Sequence, residues 1–277
     1  MFKDPKIIAG LGLLLFLLLR APVPAKQTVQ PADQLPRILE KTRAYCDRLE
    51  RMSLYFVCRE QIDERQFDPP IKLFSLGGSG RTTRVALEYD YQLVRKGDSI
   101  EEKRVLLKEN GRPRHEPDAP LKTKLYKHRY LVFGPLGLLS EYWQSRHVYR
   151  YLGEDQVDKE KAFVIEAQPS GSPEPNLLYG KVWVREKDFA IVKIEWDQRS
   201  ISDLEAVRRM ARSIGHDATP RISIVGVYGV EKNGIRFLSE LTVHEDYDSR
   251  MGIHRASQTE IRYGDYKFFV VETEVRY

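Results

Sequence analysis

Arg84-Val85-Ala86-Leu87-Glu88-Tyr89-Asp90-Tyr91-Gln92-Leu93-Val94 alternates apolar and polar side chains with a period of two. Val85, Leu87, Tyr89, Tyr91 and Leu93 fall on one side and Arg84, Glu88, Asp90 and Gln92 on the other, as in a strand with one buried face. One-sided burial points to an antiparallel sheet, because parallel sheets are covered on both faces. Lys96-Gly97-Asp98 comes next as a hairpin signal, with Gly97 supplying the positive φ, and a returning strand is predicted over 100–109 ending at Asn110-Gly111. The same grammar recurs over 148–152, 162–167, 181–185, 190–197, 221–231, 236–247, 253–263 and 266–275. Turn signals such as Glu186-Lys187-Asp188, Asn233-Gly234 and Gly264-Asp265 separate these segments. The expectation is an α+β protein with a curved antiparallel sheet of about ten or eleven strands.

Upstream the period changes. From Asp33, an N-cap type residue, Leu35, Ile38, Leu39, Thr42, Cys46, Leu49 and Met52 recur at spacings of three and four. They form the buried stripe of a helix whose other face carries Glu40, Lys41, Arg43, Asp47, Arg48 and Glu50. A short helix opened by Pro135 is predicted up to Gln144, with Leu138, Leu139 and Tyr142 as its apolar face. A third is predicted over 202–214, where Ser202 and Glu205 have capping-box spacing, Arg208, Arg209 and Arg212 suit the negative end, and Gly215 is the stop.

Composition bounds the rest. With 277 residues, 42% hydrophobic and 31% charged, the chain can bury a sizeable core and is not a disordered tail. Its 15 Tyr, 11 Phe and 3 Trp weight the aromatics toward a residue that tolerates one wet edge. The formal net charge of +5 is spread over interspersed signs, which argues against a nucleic-acid arm. Lys3 and Lys6 precede an apolar run over 7–19, and Val23-Pro24-Ala25 has signal-peptidase spacing. That run reaches only about 20 Å as a helix, short of the ~30 Å hydrocarbon core, so a cleaved signal peptide over 1–25 is expected rather than a membrane anchor. No cysteine near the cleavage site allows lipid attachment there. A linker over 26–32 then leads into one domain over 33–277.

Catalytic signatures are missing from the sequence. Gly77-Gly78-Ser79-Gly80 lacks the Lys-Ser/Thr of a phosphate-binding loop, and no Gly-x-Ser-x-Gly elbow occurs. The six histidines show no ligand spacing within one helix, although His244 and His254 fall on adjacent predicted strands. The expectation is therefore no enzyme, no catalytic residue, no metal and no cofactor. Cys46 and Cys58 are the only cysteines, an even count in a chain read as exported, which points to one disulfide, with two buried free thiols as the alternative. On one continuous helix they would stand about 18 Å apart, whereas a disulfide needs Cα atoms within ~7 Å. Pairing thus requires the helix to end near residue 52 and the chain to turn back into a strand over 54–62.

The order of signal peptide, amphipathic helix running into a first strand, long meander, short Pro-started helix and further meander resembles the LolA/LolB lipoprotein-carrier superfamily, which includes the periplasmic regulator RseB. Phe133-Gly134-Pro135-Leu136-Gly137-Leu138-Leu139-Ser140 carries the likeness, as does Tyr179-Gly180-Lys181-Val182-Trp183-Val184-Arg185 with its returning strand to Glu195. Tyr45-Cys46 followed by Val57-Cys58 is similar to exported outer membrane lipoprotein-sorting proteins. The resemblance implies an unclosed half-barrel, covered by the N-terminal helix and short insert helices, whose concave face holds acyl chains. It implies a periplasmic, non-enzymatic protein whose partner is a lipid or acylated protein, or alternatively an envelope membrane protein sensed by an RseB-like scaffold. By alternation the cavity lining is expected at Val85, Leu87, Tyr89, Tyr91, Leu93, Val182, Val184, Val192, Ile194, Phe237, Leu241 and Val243, with Leu138 and Leu139 from the short helix. The Cys pair and the basic helix over 202–214 depart from the carriers.

Overall fold

A computed structural model describes residues 31–53, 56–67, 82–96, 99–123, 134–172, 177–200, 207, 211–212, 218–250 and 252–269. The expected signal peptide, the loop at 77–80 and most of the helix expected over 202–214 lie outside these residues. Among the described residues, no helix is long and apolar enough to cross a membrane.

Helix α1 (Pro31–Ser53) begins two residues before Asp33, at a proline, whose fixed φ suits a first helical turn. Ile38, Thr42, Tyr45, Cys46 and Leu49 form its buried stripe. Thr42 is tolerated there because its hydroxyl donates to the Ile38 carbonyl, 2.9 Å away. After Ser53 the chain enters β1 (Phe56–Phe67), as the stripe's end implied.

From β1 the chain winds outward through β2 (Thr82–Lys96), β3 (Ser99–Glu109) and β4 (Arg112–Glu116), the last not expected from the sequence. Helices α2 (Gly134–Leu139) and α3 (Glu141–Gln144) lead to a second meander: β5 (His147–Val157), β6 (Glu160–Pro169), β7 (Gly180–Arg185), β8 (Ile191–Trp196) and β9 (Thr219–Val227). A small hairpin, β10 (Val230–Lys232) and β11 (Ile235–Phe237), precedes β12 (Glu240–Ser249) and β13 (Gly252–Phe268). Among the described residues, eleven strands form one antiparallel sheet in the order β4-β3-β2-β1-β13-β12-β9-β8-β7-β6-β5. The two meanders join where the first and last strands pair. With β4 and β5 at opposite ends, the sheet stays unclosed.

Beyond β5, which runs past the 148–152 expected for it to Val157, several of the expected strands are redrawn, each for a local reason. Gly264-Asp265 is no turn: β13 runs through it, and the register against β1 slips by one residue between Val57 and Arg59, with Asp265 at φ 52°. The segments expected over 221–231 and 236–247 each break in two at the same level. There Ser239 Oγ accepts from the Gly229 amide at 3.0 Å and donates to the Val227 carbonyl at 2.9 Å, fixing both breaks together.

Candidate functional site

The inner face of the sheet is the candidate site, and α1 and α2 close over it. Of the fourteen lining residues expected from alternation, thirteen lie in one buried cluster: Val85, Leu87, Tyr89, Tyr91, Leu93, Leu138, Leu139, Val182, Val184, Ile194, Phe237, Leu241 and Val243. Val192 does not. The register of β7 against β8 runs from Val184↔Ile191 to Trp183↔Lys193, so Val192 is the extra residue of a bulge. Ile191 takes the inner position, and Val192 joins Ala162, Val164 and Trp183 in a separate cluster on the opposite face. There Lys193 Nζ sits 4.1 Å from the Trp183 ring centre, and the indole N–H donates to Asp155 at 2.9 Å.

Helix α2 is fastened over the face by backbone contacts. Tyr149 donates its hydroxyl to the Leu138 carbonyl, and Gln144 Nε2 donates to the carbonyls of Leu39 at 2.9 Å and Leu139 at 2.8 Å, tying α1 to the α2–α3 unit. Gly134 is required there because a Cβ would overlap the Trp196 ring and stand 2.8 Å from the Tyr228 hydroxyl. Tyr45, which the helical stripe did not include, reaches from α1 to β11, accepting from the Arg236 amide at 2.9 Å and donating to its carbonyl.

The cysteines do not form the expected disulfide; both are buried free thiols. Cys46 Sγ faces the Pro135 carbonyl at 3.5 Å, so it packs against α2 rather than toward β1. Burial pushes both thiols well above their usual range, which keeps them protonated and weakly nucleophilic.

The inner face has two characters. Beneath α2, on β6 to β9, it is apolar: Ile165, Val182, Val184, Ile191, Ile194, Trp196 and Ile224. Across β1, β2, β3, β12 and β13 it holds buried charge that was not identified from the sequence. Arg104, 7% exposed, grips the fully buried Glu60 through two hydrogen bonds of 2.6 and 3.1 Å and reaches Glu102 at 3.3 Å. Tyr263 donates to Glu60 at 2.8 Å, Tyr91 donates to Glu102 at 2.9 Å, and the Arg104 guanidinium lies 4.8 Å from the Tyr91 ring centre. Glu64 is also buried on this face. Beside it, Glu245 accepts from the Tyr247 hydroxyl and from Ser257 Oγ at 3.1 Å. Burial raises the Glu245 carboxyl above the usual carboxylate range. Tyr89 clips the segment after β4, accepting from the Lys122 amide at 3.1 Å and donating to the Pro120 carbonyl; burial pushes its pKa up to about 12.

The outer face carries a groove of about 480 Å³ lined by residues including Asp63, Arg65, Arg84, Glu88, Lys108, Glu260 and Arg262. Its cations are matched: Arg65 and Arg84 to Asp63, Lys108 to Glu88 at 3.0 Å and Arg262 to Glu260 at 3.6 Å. Arg84–Asp63 and Lys108–Glu88 cross between neighbouring strands, and the other two pairs lie along single strands. His244 and His254 are not partners either, since His244 pairs with Gln258 and His254 with Tyr247. Among the described residues, no three His, Cys, Asp or Glu side chains gather to hold a metal ion.

No family model matches the chain, and no curated protein does. Solved structures do. The chain is similar to a putative outer membrane lipoprotein-sorting protein domain from Vibrio parahaemolyticus, at 10% identity and TM-score 0.41, covering 88% of this chain and 95% of that one. It is similar to a DUF1329 family protein from Desulfovibrio piger, at 12% identity and TM-score 0.39, covering 89% and 96%. A LolA superfamily protein from Nitrosomonas europaea matches at 13% identity and TM-score 0.33, covering 86% and 94%. Of these three, the Nitrosomonas europaea protein is by its description a member of the LolA superfamily.

Proposed function

We infer that the chain is an exported, periplasmic, non-enzymatic binding protein that holds a lipid, a lipidated protein or another apolar ligand against the inner face of its sheet, in the traffic of lipoproteins to the outer membrane. The observation that carries this reading is the open sheet whose apolar inner face is closed by helices instead of by a second sheet. Helix packing through a few side chains is reversible, whereas a strand-closed core opens only by unfolding. Ligand access requires α2 to move off the apolar half, since an empty apolar cavity must be shielded from water. The buried charge on the other half would meet the polar part of an amphiphile. A fluorescent fatty-acid analogue should bind saturably and be displaced by phospholipid, and native mass spectrometry of protein taken from its own envelope should show retained lipid. Absence of both binding and retention would overturn the reading.

A protein partner is the second reading, and one patch favours it. On α3, Tyr142 is 59% exposed, packs edge-on to Trp143 at 5.0 Å and is covered by the Arg146 guanidinium at 4.5 Å. Trp, Tyr and Arg are the residue types that dominate interface hot spots. Capture of one envelope membrane protein by the wild type but not by Tyr142→Ala would support a sensor or scaffold.

A further inference from the structure

Trp196 is 3% exposed, and its indole nitrogen has no hydrogen-bond partner. A buried donor left unpaired costs about 1–3 kcal/mol, so such groups are rare and call for an explanation. The sheet can satisfy an indole, because Trp183 on the neighbouring strand donates to Asp155. Trp196 sits on the apolar half of the inner face, with Gly180 and Ile224 beside it across the strands and Ile194 before it on its own. The start of α2 is pressed onto its ring at Gly134, with Tyr228 at the same contact.

We propose that the Trp196 N–H is the anchor for a bound amphiphile, donating to a neutral carbonyl acceptor such as the ester or amide that joins an acyl chain to its head. This deepens the binding function proposed above and rests on it. When α2 lifts at Gly134, the indole N–H becomes a directional donor in a largely apolar field, with the Tyr228 hydroxyl as its one polar neighbour at that contact, the arrangement that orients an apolar ligand. The surroundings select the acceptor's charge. Ile194, Ile224 and Gly180 offer no countercharge, and an unpaired carboxylate in such a place is far costlier than an ester carbonyl. Tyr228 reports the same desolvation, since burial drives its hydroxyl well above its usual range. The anchor therefore prefers an esterified or amide-linked chain over a free fatty-acid anion.

The test is a titration of ¹⁵N-labelled full-length mature protein with 1-monooleoylglycerol, following the indole cross-peaks of its three tryptophans. The Trp196 proton should move downfield at saturation while those of Trp143 and Trp183 stay in place. Trp196→Phe, which keeps a ring but loses the donor, should bind monooleoylglycerol about tenfold more weakly. Oleate at neutral pH should bind more weakly than the ester. If the ester binds and the Trp196 resonance does not move, the anchor is overturned and the binding function stands, a result read on the unsubstituted protein whatever the variant's folding. If oleate binds as tightly as the ester, the preference for a neutral acceptor is overturned. If neither probe binds, the anchor is overturned, and the binding function falls with it when the protein also retains no lipid from its own envelope.

Discussion

Arg104 shows how much a single inner-face residue carries. Its two hydrogen bonds to Glu60 and its contact with Glu102 are the compensation for burying three charges. Removing one partner of such a group leaves uncompensated buried charge, so Arg104→Met should lose about 3–5 kcal/mol in urea unfolding. Glu245 has the opposite sign to an ordinary surface acid. Its native pKa is raised, so its contribution to stability is full below the unfolded value and is lost as pH rises through the native one. The stability of Glu245→Gln relative to wild type should therefore improve as pH rises above the ordinary carboxylate value of about 4.3, measured by thermal unfolding at each pH. Glu160 behaves conventionally: its hydrogen bond from Arg185 lowers its carboxyl, and the stability it adds fades as pH falls through that lowered value. These buried charges were legible in part. Glu60 and Glu64 share the parity of Phe56, Cys58 and Ile62, and Arg104 shares that of Leu106, so period-two spacing alone places them inward. Their chemistry argued against it, because an isolated Glu is almost never buried, and the partners that make burial tolerable come from other strands.

At the scale of elements, periodicity found nearly every strand, and bulges account for several of the misplaced details. One extra residue reverses the face of every residue after it, so Val192 and Ile191 exchanged sides and β13 passed straight through Gly264-Asp265. A bulge keeps the ladder hydrogen bonds of its neighbours, and amides on both sides of residue 264 should therefore exchange slowly with deuterium as one unit. Rapid exchange over 263–267 would restore the turn. Helix α2 has only six residues and borrows its stability from its fasteners. Tyr149→Phe, which deletes only the hydroxyl that bonds the Leu138 carbonyl, should cost about 1 kcal/mol. If α2 gates access to the inner face, the same change should speed association of a fluorescent fatty-acid analogue while leaving the sheet's circular dichroism unchanged.

The whole molecule is held by one long-range pairing. Strand β1 lies between β2 and β13, so the sheet forms only when residues near 60 meet residues near 263, a loop closure spanning most of the chain. Deleting the chain from residue 252 onward would bare the edges of β1 and β12 together, and the product should be insoluble or unfolded rather than a trimmed version of the fold. The sequence by itself determined the class: period-two alternation specifies half-buried antiparallel strands, and a 3.6-period stripe ending near residue 52 specifies a helix feeding into them. Those signals are local, written in consecutive residues. Only the tertiary structure decided which strands neighbour one another, that two cysteines read as a pair stay free thiols, and that one half of the inner face holds a buried charge cluster. Each depends on groups distant in sequence, and it is their mutual hydrogen bonds, not their own hydropathy, that make the arrangement stable.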